Sequence, residues 1–212
     1  MAADAKSIST SVTSSILADG SKVEVNDHVY LAPEHLGEPY YIGRIMEFCS
    51  SPKRKGLQAR IAWFYRPKDI MTRKNYDPHL LIATMHSDLN PVSSIRGKCV
   101  VTHRHHIKED LEIYKARDDH FYFNQLYDRY IQRVYDVVPC ETVQNVPKDI
   151  AKALKARYQF IVVEQGKAAE LTDAHRVCHI CKSWCSRLVV LYHCFEIDVL
   201  NNPFSICQSL LR

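Results

Sequence analysis

Two apolar stretches in the first third of the chain have strand character and contain no internal proline. Residues 40–48 and 57–66 are both rich in β-branched and aromatic residues, and the basic turn SSPKRKG separates them. This pattern predicts a β-hairpin. Because alternate side chains of a strand point to opposite faces, we expect Ile61, Trp63 and Tyr65 to share one face of the second strand.

The rest of the chain up to Val138 carries more strand signals than helix signals. The Asn26-Asp27 turn is flanked by short β-branched runs, Cys99 to Val101 form a compact apolar run, and residues 120–127 and 132–138 are rich in aromatic side chains. Residues 70–90 lose clear periodicity, so we interpret them as a long loop with one strand. About six or seven strands with little helix predict a mainly β fold, either a bent sheet or a partly open β-barrel.

The pattern changes after Val138. Pro147 suits the first turn of a helix, and Ile150, Leu154 and Tyr158 recur at helical spacing. We therefore expect a short C-terminal helical extension and linker over residues 140–175. The basic side chains of this helix are interpreted as a solvated face, with a nucleic-acid stripe as the less favoured alternative.

The composition narrows the class of protein only a little. The 212 residues carry a formal net charge of +4, which is far below the basicity of a dedicated nucleic-acid binder. Residues 1–20 are mainly small or hydroxylated and predict a disordered leader rather than a secretory signal. A reducing compartment follows from this, so the eight cysteines are interpreted as thiols or metal ligands before disulfides.

The aromatic residues of the hairpin are the sharpest candidate for a binding site. If Tyr41 faces the same way as Trp63 and Tyr65, three rings surround a space that suits a methylated ammonium, because aromatic faces attract cations. The alternative from the pattern alone is that Trp63 and Tyr65 are ordinary core aromatics. His103, His105 and His106 invite a metal site, but the favoured interpretation of this segment is a charged loop or edge strand.

Several spaced motifs, all in one order, resemble those of a bromo-adjacent homology (BAH) domain. The likeness covers residues 21–139 and is greatest to the BAH domains of fungal BAH-PHD chromatin regulators. The motifs are VNDHVYLAPE from Val25, PYYIGRI from Pro39, WFYRPKD from Trp63, His86-Ser87-Asp88, IRGKCVV from Ile95 and HFYF from His120.

This resemblance implies a non-enzymatic histone reader in the nucleus. By position, the methyl-lysine cage of such domains falls on Tyr41, Trp63 and Tyr65, and the segment of His86 and Asp88 lies close to the bound tail. The resemblance implies no cofactor for this domain and implies histone tails, nucleosomes and subunits of chromatin-modifying complexes as partners.

A second hypothesis keeps the fold without the cage. In this reading the domain binds the nucleosome, DNA or a regulatory complex through basic residues, with no methyl-lysine recognition. An enzyme is the least favoured class, because the chain contains no Gly-rich phosphate loop, nucleophile elbow or HExxH motif. The basic residues of the second hypothesis are Lys53, Arg54, Lys55, Arg73, Lys74, Arg96 and Lys98.

The C-terminal end holds a possible metal site. Cys178 and Cys181 have the spacing of a zinc knuckle, which lets two thiolates reach one tetrahedral ion. The segment CHICKSWC resembles the opening of a PHD finger, yet the later cysteines and histidine do not continue the ligand pattern. We therefore expect residues 176–212 to be an incomplete PHD-like segment. Two alternatives stay open for it, a zinc site with Cys178 and Cys181 or a disordered tail.

Overall fold

The protein is described from a computed structural model, which describes residues 12–35, 37–50, 56–70 and 76–173. Strands dominate these residues, and helices are short. The strands are β1 (Ser14–Ile16), β2 (Lys22–Glu24), β3 (His28–Leu31), β4 (Tyr41–Ser50), β5 (Leu57–Tyr65), β6 (Leu80–Pro91), β7 (Ile95–His103), β8 (His120–Asp128), β9 (Arg133–Pro139) and β10 (Phe160–Glu164). The helices are α1 (Leu111–Lys115), α2 (Lys148–Arg157) and α3 (Ala168–Thr172), with 3-10 turns at Pro67–Asp69, Val92–Ser94, Arg104–His106 and Cys140–Thr142.

The predicted mainly β class with a short C-terminal helical extension is confirmed. The predicted hairpin corresponds to β4 and β5, which pair antiparallel, and the predicted helix corresponds to α2. Ile150 and Leu154 of α2 are both partly buried, as their helical spacing predicted.

Two expectations from the sequence are corrected. Ser14–Ile16, placed in the disordered leader, form β1 and pair with β2 because Leu17 is buried in the same core as Val23. The one strand expected within residues 70–90 is β6, which is longer than a segment described as a long loop implied, with twelve residues. Its first half is apolar and buried on both faces, so it lacks the alternation that reveals a strand with one solvated face.

The described chain divides into two compact units. The first contains the described parts of Met1–Phe64 and His86–Val100. In it, β3 pairs antiparallel with both β4 and β7, and β4 pairs with β5. Its core consists of buried aliphatic side chains with Phe48 and Ala59, namely Leu17, Val23, Val29, Leu31, Ile45, Phe48, Ala59, Ile61, Val92 and Ile95.

Gly43 of β4 marks a close approach in this first unit. It is the register partner of Trp63 on β5. A Cβ atom added at Gly43 would lie 2.2 Å from Ile61 Cγ2 and 3.5 Å from Trp63 Cε3. The first distance is a clash and the second is an ordinary contact, so only glycine leaves room for the Ile61 side chain on this face of the hairpin.

The second unit contains the described parts of Tyr65–Met85 and Val101–Arg212. In it, β6 pairs parallel with β8, β8 pairs antiparallel with β9, and β9 pairs antiparallel with β10. One core cluster lies under α2 and α3 and contains Val138, Cys140, Val143, Tyr158, Ile161, Val163 and Leu171. No helix among the described residues is long and apolar enough to cross a membrane.

Candidate functional site

Tyr41 and Trp63 form an aromatic pair at the surface of the first unit. Their ring centroids are 6.1 Å apart and their planes meet at 84°, so the two rings stand nearly perpendicular. Tyr41 is 37% exposed, and Trp63 is half-buried and packs against the core cluster that contains the fully buried Ile61. The side chains of β5 thus pass from the core at Ile61 to a partly solvated ring at Trp63. Trp63 is therefore not sealed in the interior.

A polar group fixes the indole of Trp63. Its Nε1–H donates a long hydrogen bond of 3.4 Å to Asp88 Oδ2. The same oxygen lies 2.7 Å from Nε2 of His86. His86 and Asp88 share a face because β6 is extended through both residues, which agrees with the alternation expected for this pair. The two residues named in the sequence as tail contacts therefore lie in one network with Trp63.

Each residue of the aromatic pair has a carboxylate within hydrogen-bond distance of its polar atom. The Tyr41 hydroxyl donates to Glu38 Oε2 at 3.4 Å, and Asp88 accepts from Trp63. More than half of the Asp88 side chain is exposed. Two carboxylates beside two π-faces produce a negative potential at this surface, which favours a cation. Glu38 was not among the sequence candidates, and its position just before β4 was the one signal for it.

Tyr65, the third predicted cage residue, belongs to the second unit. Its ring is half-buried and packs on Tyr127 of β8, with centroids 6.3 Å apart and planes at 48°. The structure thus groups Tyr41, Trp63, His86 and Asp88 within one unit and describes Tyr65 with a different aromatic neighbour. Tyr127 was noted in the sequence only as part of an aromatic-rich strand.

His103, the last residue of β7, has a structural role in the second unit. His103 is buried, its Nδ1 accepts the His105 amide, and its Nε2 lies 3.0 Å from the Val137 carbonyl oxygen. Burial lowers the pKa of His103 to about 4, and the neighbouring His106 and His105 add to this effect against the bond to Val137. Both ring nitrogens are already engaged, so His103 is occupied as a core histidine.

A second cluster of polar groups surrounds Asp77 in the second unit. Asp77 Oδ2 accepts bonds from Lys115 Nζ at 2.9 Å and from the Tyr122 hydroxyl at 3.0 Å. Burial alone would raise the pKa of Asp77, but these donors and the His79 amide lower it below its usual value. Burial and the bond to Asp77 raise the pKa of Tyr122 to about 12. An open cleft of about 550 Å³ lies here, and its charged groups Asp77, Glu112 and Lys115 pair with one another.

The described part of the chain contains no candidate metal site. No group of three or more His, Cys, Asp or Glu among those residues is arranged to hold an ion. Cys178 and Cys181 lie outside the described residues. Zinc binding there stays a prediction, which metal analysis of the purified chain can check.

Comparison with known families identifies the class of protein to which this mainly β chain belongs. A family model of the BAH domain matches residues 21–139, more than half of the chain. The chain therefore belongs to the BAH domain family.

The similar proteins include two curated fungal relatives. The Lid2 complex component snt2 of Schizosaccharomyces pombe is 39% identical over 175 residues, which cover 81% of this chain and 16% of the relative. The E3 ubiquitin-protein ligase SNT2 of Saccharomyces cerevisiae is 31% identical over 224 residues, which cover 86% of this chain and 16% of the relative. The chain thus spans a small part of the length of each relative.

One solved structure is also similar to the chain. The crystal structure of the yeast Rsc2 BAH domain matches with a TM-score of 0.49 and 18% sequence identity. The match covers 59% of this chain and 54% of that chain.

Proposed function

We propose that this chain is a chromatin-binding reader module that recognises a histone tail through a methylated lysine. The observation that carries the proposal is the perpendicular, partly exposed pair of Tyr41 and Trp63 with the Asp88 carboxylate bonded to the indole. In the proposal, Tyr41 and Trp63 form two walls around the methylated ammonium. The family resemblance adds Tyr65 as a third wall, and His86 with Asp88 contacts the flanking tail.

The physical basis of this recognition is desolvation together with cation–π attraction. A trimethylated ammonium donates no hydrogen bond and loses little hydration when it enters an aromatic site, whereas unmodified lysine loses strong hydration. Each ring contributes about 0.5 to 2 kcal/mol to binding. Two or three rings therefore support recognition in the micromolar range, with neighbouring tail residues adding the sequence preference.

The relatives support the wider setting of the proposal. One relative is named as a component of the Lid2 complex, and we propose that this chain also works in a chromatin-modifying complex, in the nucleus, in the regulation of transcription. The other relative is named as a ubiquitin ligase, but this chain matches only 16% of it. We propose that the matched part serves binding and not catalysis.

Charge-driven binding without a cage receives less support from the described residues. Of the basic residues proposed for it, Lys98 Nζ lies 2.6 Å from Asp27 Oδ2, and Arg96 donates to the carbonyl oxygens of Ser93 and Ile95. The other five basic residues lie outside the described part of the chain. The aromatic site is therefore the better supported proposal.

The test is to titrate the whole chain with a panel of histone peptides that carry unmodified, monomethylated, dimethylated or trimethylated lysines. We expect at least one methylated peptide to bind, and Trp63→Ala to weaken that binding about tenfold to thirtyfold, the effect of losing one ring worth about 1.4 to 2 kcal/mol. Tyr65→Ala, measured alone, tests the third wall.

Tyr130→Ala is the matched control, because Tyr130 is an aromatic residue that is 78% exposed and lies outside the proposed site. We expect this variant to bind as the unsubstituted chain does. Equal binding of methylated and unmodified peptides, or a Trp63→Ala variant that is folded and binds normally, would refute the proposal.

A further inference from the structure

Helix α2, which follows the residues matched by the family model, carries a row of lysines on one side. Lys148, Lys152 and Lys155 are spaced by four and three residues, so their side chains lie within about 60° of one another around the helix. All three are exposed. The partly buried side of the helix, with Ile150 and Leu154, lies on the opposite side of the axis. The row therefore faces solvent.

The three lysines have no ion-pair partner among the described residues. None of them makes an ion pair there, whereas Lys167 of the following segment is bonded to Glu170 at 2.9 Å. Among the described residues, no carboxylate therefore forms an ion pair with a lysine of the row. A positive potential remains at the surface of α2.

The basic and acidic residues of this extension are unevenly distributed. Residues 140–173 contain five basic and five acidic residues, so the segment as a whole is neutral. Four of its five basic residues nevertheless lie on α2, which has Asp149 as its one acidic residue. Solubility alone requires charge but not this separation of sign. The arrangement indicates a binding surface for an anion.

The surroundings of the row fit an extended anion. The side chains next to the row around the helix are those of Ala151 and Ala156, which do not obstruct a close approach. The rise from Lys148 to Lys155 is about 10 Å, which matches the axial rise of about three successive phosphates on one strand of duplex DNA.

We propose that the lysine row of α2 binds the sugar–phosphate backbone of duplex DNA. The row offers point charges without an exposed aromatic or aliphatic anchor among them. Protein interfaces are depleted in lysine and need an apolar centre, whereas phosphate contacts need only positioned positive charge. A regularly charged backbone is therefore favoured over an acidic protein surface.

The test measures binding of the whole chain to a short fluorescein-labelled DNA duplex by anisotropy across a series of salt concentrations. The variant Lys148→Gln, Lys152→Gln, Lys155→Gln removes the row, and glutamine keeps the helix propensity close to that of lysine. Each lost phosphate contact lowers the slope of log affinity against log salt by about 0.9, so we expect the slope to decrease by about 2 to 3. At low salt we expect a loss of affinity of about tenfold or more.

A matched control makes the same change of charge elsewhere in the second unit. Lys68, Lys108 and Arg133 are exposed and scattered, and their joint replacement by Gln should leave the slope nearly unchanged. Circular dichroism of both variants checks that they are folded. Methylated-peptide binding should be the same in both, so failure of this inference is distinguishable from failure of the reader proposal.

Four outcomes would overturn the inference, and three of them concern the duplex. These are no binding of the unsubstituted chain to the duplex, an equal decrease of slope in both variants, or no decrease in the α2 variant. A loss of binding to poly-glutamate in the α2 variant, with duplex binding retained, would also overturn it, in favour of an acidic protein partner.

Discussion

The two units use the same aromatic residue types in different ways. In the first unit, Tyr41 and Trp63 keep part of each ring in solvent, and the bonds from the Tyr41 hydroxyl to Glu38 and from the Trp63 indole to Asp88 are both long, at 3.4 Å. In the second unit, Tyr114 is buried, and its hydroxyl lies 2.9 Å from the Phe121 carbonyl oxygen and 3.0 Å from Thr102 Oγ1. The first arrangement leaves ring faces accessible to a ligand, whereas the ring in the second arrangement is buried and stabilises the fold.

Structural aromatic residues and candidate binding residues of this protein differ in exposure and in hydrogen bonding. Both kinds lie on or beside strands and both pack against other rings. What separates them is the exposure of the ring and the number of short bonds its polar atom makes to the protein. We expect the second unit to respond to substitution in stability and the first unit to respond in ligand affinity.

The largest expected effect is that of Tyr114→Ala in the second unit. Removing a buried aromatic side chain leaves a cavity and unpaired polar groups, so we expect the free energy of unfolding to fall by about 3 to 5 kcal/mol. Urea denaturation measures this change. Methylated-peptide affinity of the folded protein should not change, and a selective loss of affinity at full stability would break the contrast between the units.

The next effect concerns pH and the buried His103. Its folded-state pKa of about 4 lies below the usual value of 6.5, so the unfolded chain takes up the proton first as the pH falls. His103 contributes about 3 kcal/mol to the free energy of unfolding above pH 6.5. This contribution is lost as the pH falls toward 4. His28, whose pKa is also lowered to about 4 by burial and then by Arg44, acts in the same direction.

Urea denaturation at a series of pH values between 7 and 4 checks this prediction. The variant His103→Gln should be less stable at pH 7 but should show a shallower loss on acidification. A pH dependence that is unchanged in this variant would show that His103 titrates normally in the folded protein. His35→Gln serves as the control, because His35 is exposed at the surface.

The smallest expected effects come from removing single hydroxyl groups. Tyr122→Phe deletes a donor to the Asp77 carboxylate in a buried position, and we expect a loss of about 1 kcal/mol in the free energy of unfolding. Tyr41→Phe deletes a long, exposed bond to Glu38, and we expect less than about 0.5 kcal/mol. Thermal melting of both variants ranks them, and the reverse order would contradict the distinction between the two units.

The sequence predicted those parts of the fold that have a strong local signal in composition, turn residues or period. The β4–β5 hairpin was found because two stretches of strand character flank a basic turn, and α2 was found because its apolar positions recur at helical spacing. The length of β6 was underestimated, because its first half is buried on both faces and shows no alternation. β1 was missed because only three residues form it, in a segment poor in apolar side chains.

The candidate site was predictable in part for the same reason. Alternation places Ile61 and Trp63 on one face, and it places His86 and Asp88 together if their segment is extended. Alternation does not reveal that Gly43 makes room for Ile61 or that Asp88 bonds the indole nitrogen of Trp63, because both depend on contacts between separate strands. It also gave no sign that Tyr65 has Tyr127 as its ring neighbour.

The most direct measurement of the central claim uses the fluorescence of Trp63 itself. The chain has two tryptophans, Trp63 and Trp184, so the variant Trp184→Phe leaves Trp63 as the single indole. A methylated ammonium that binds against this ring changes its environment. We predict a saturable change in Trp63 emission with a methylated histone peptide and a much weaker change with its unmodified form. Binding of the methylated peptide with no change in emission, or the same change with both peptides, would contradict the account.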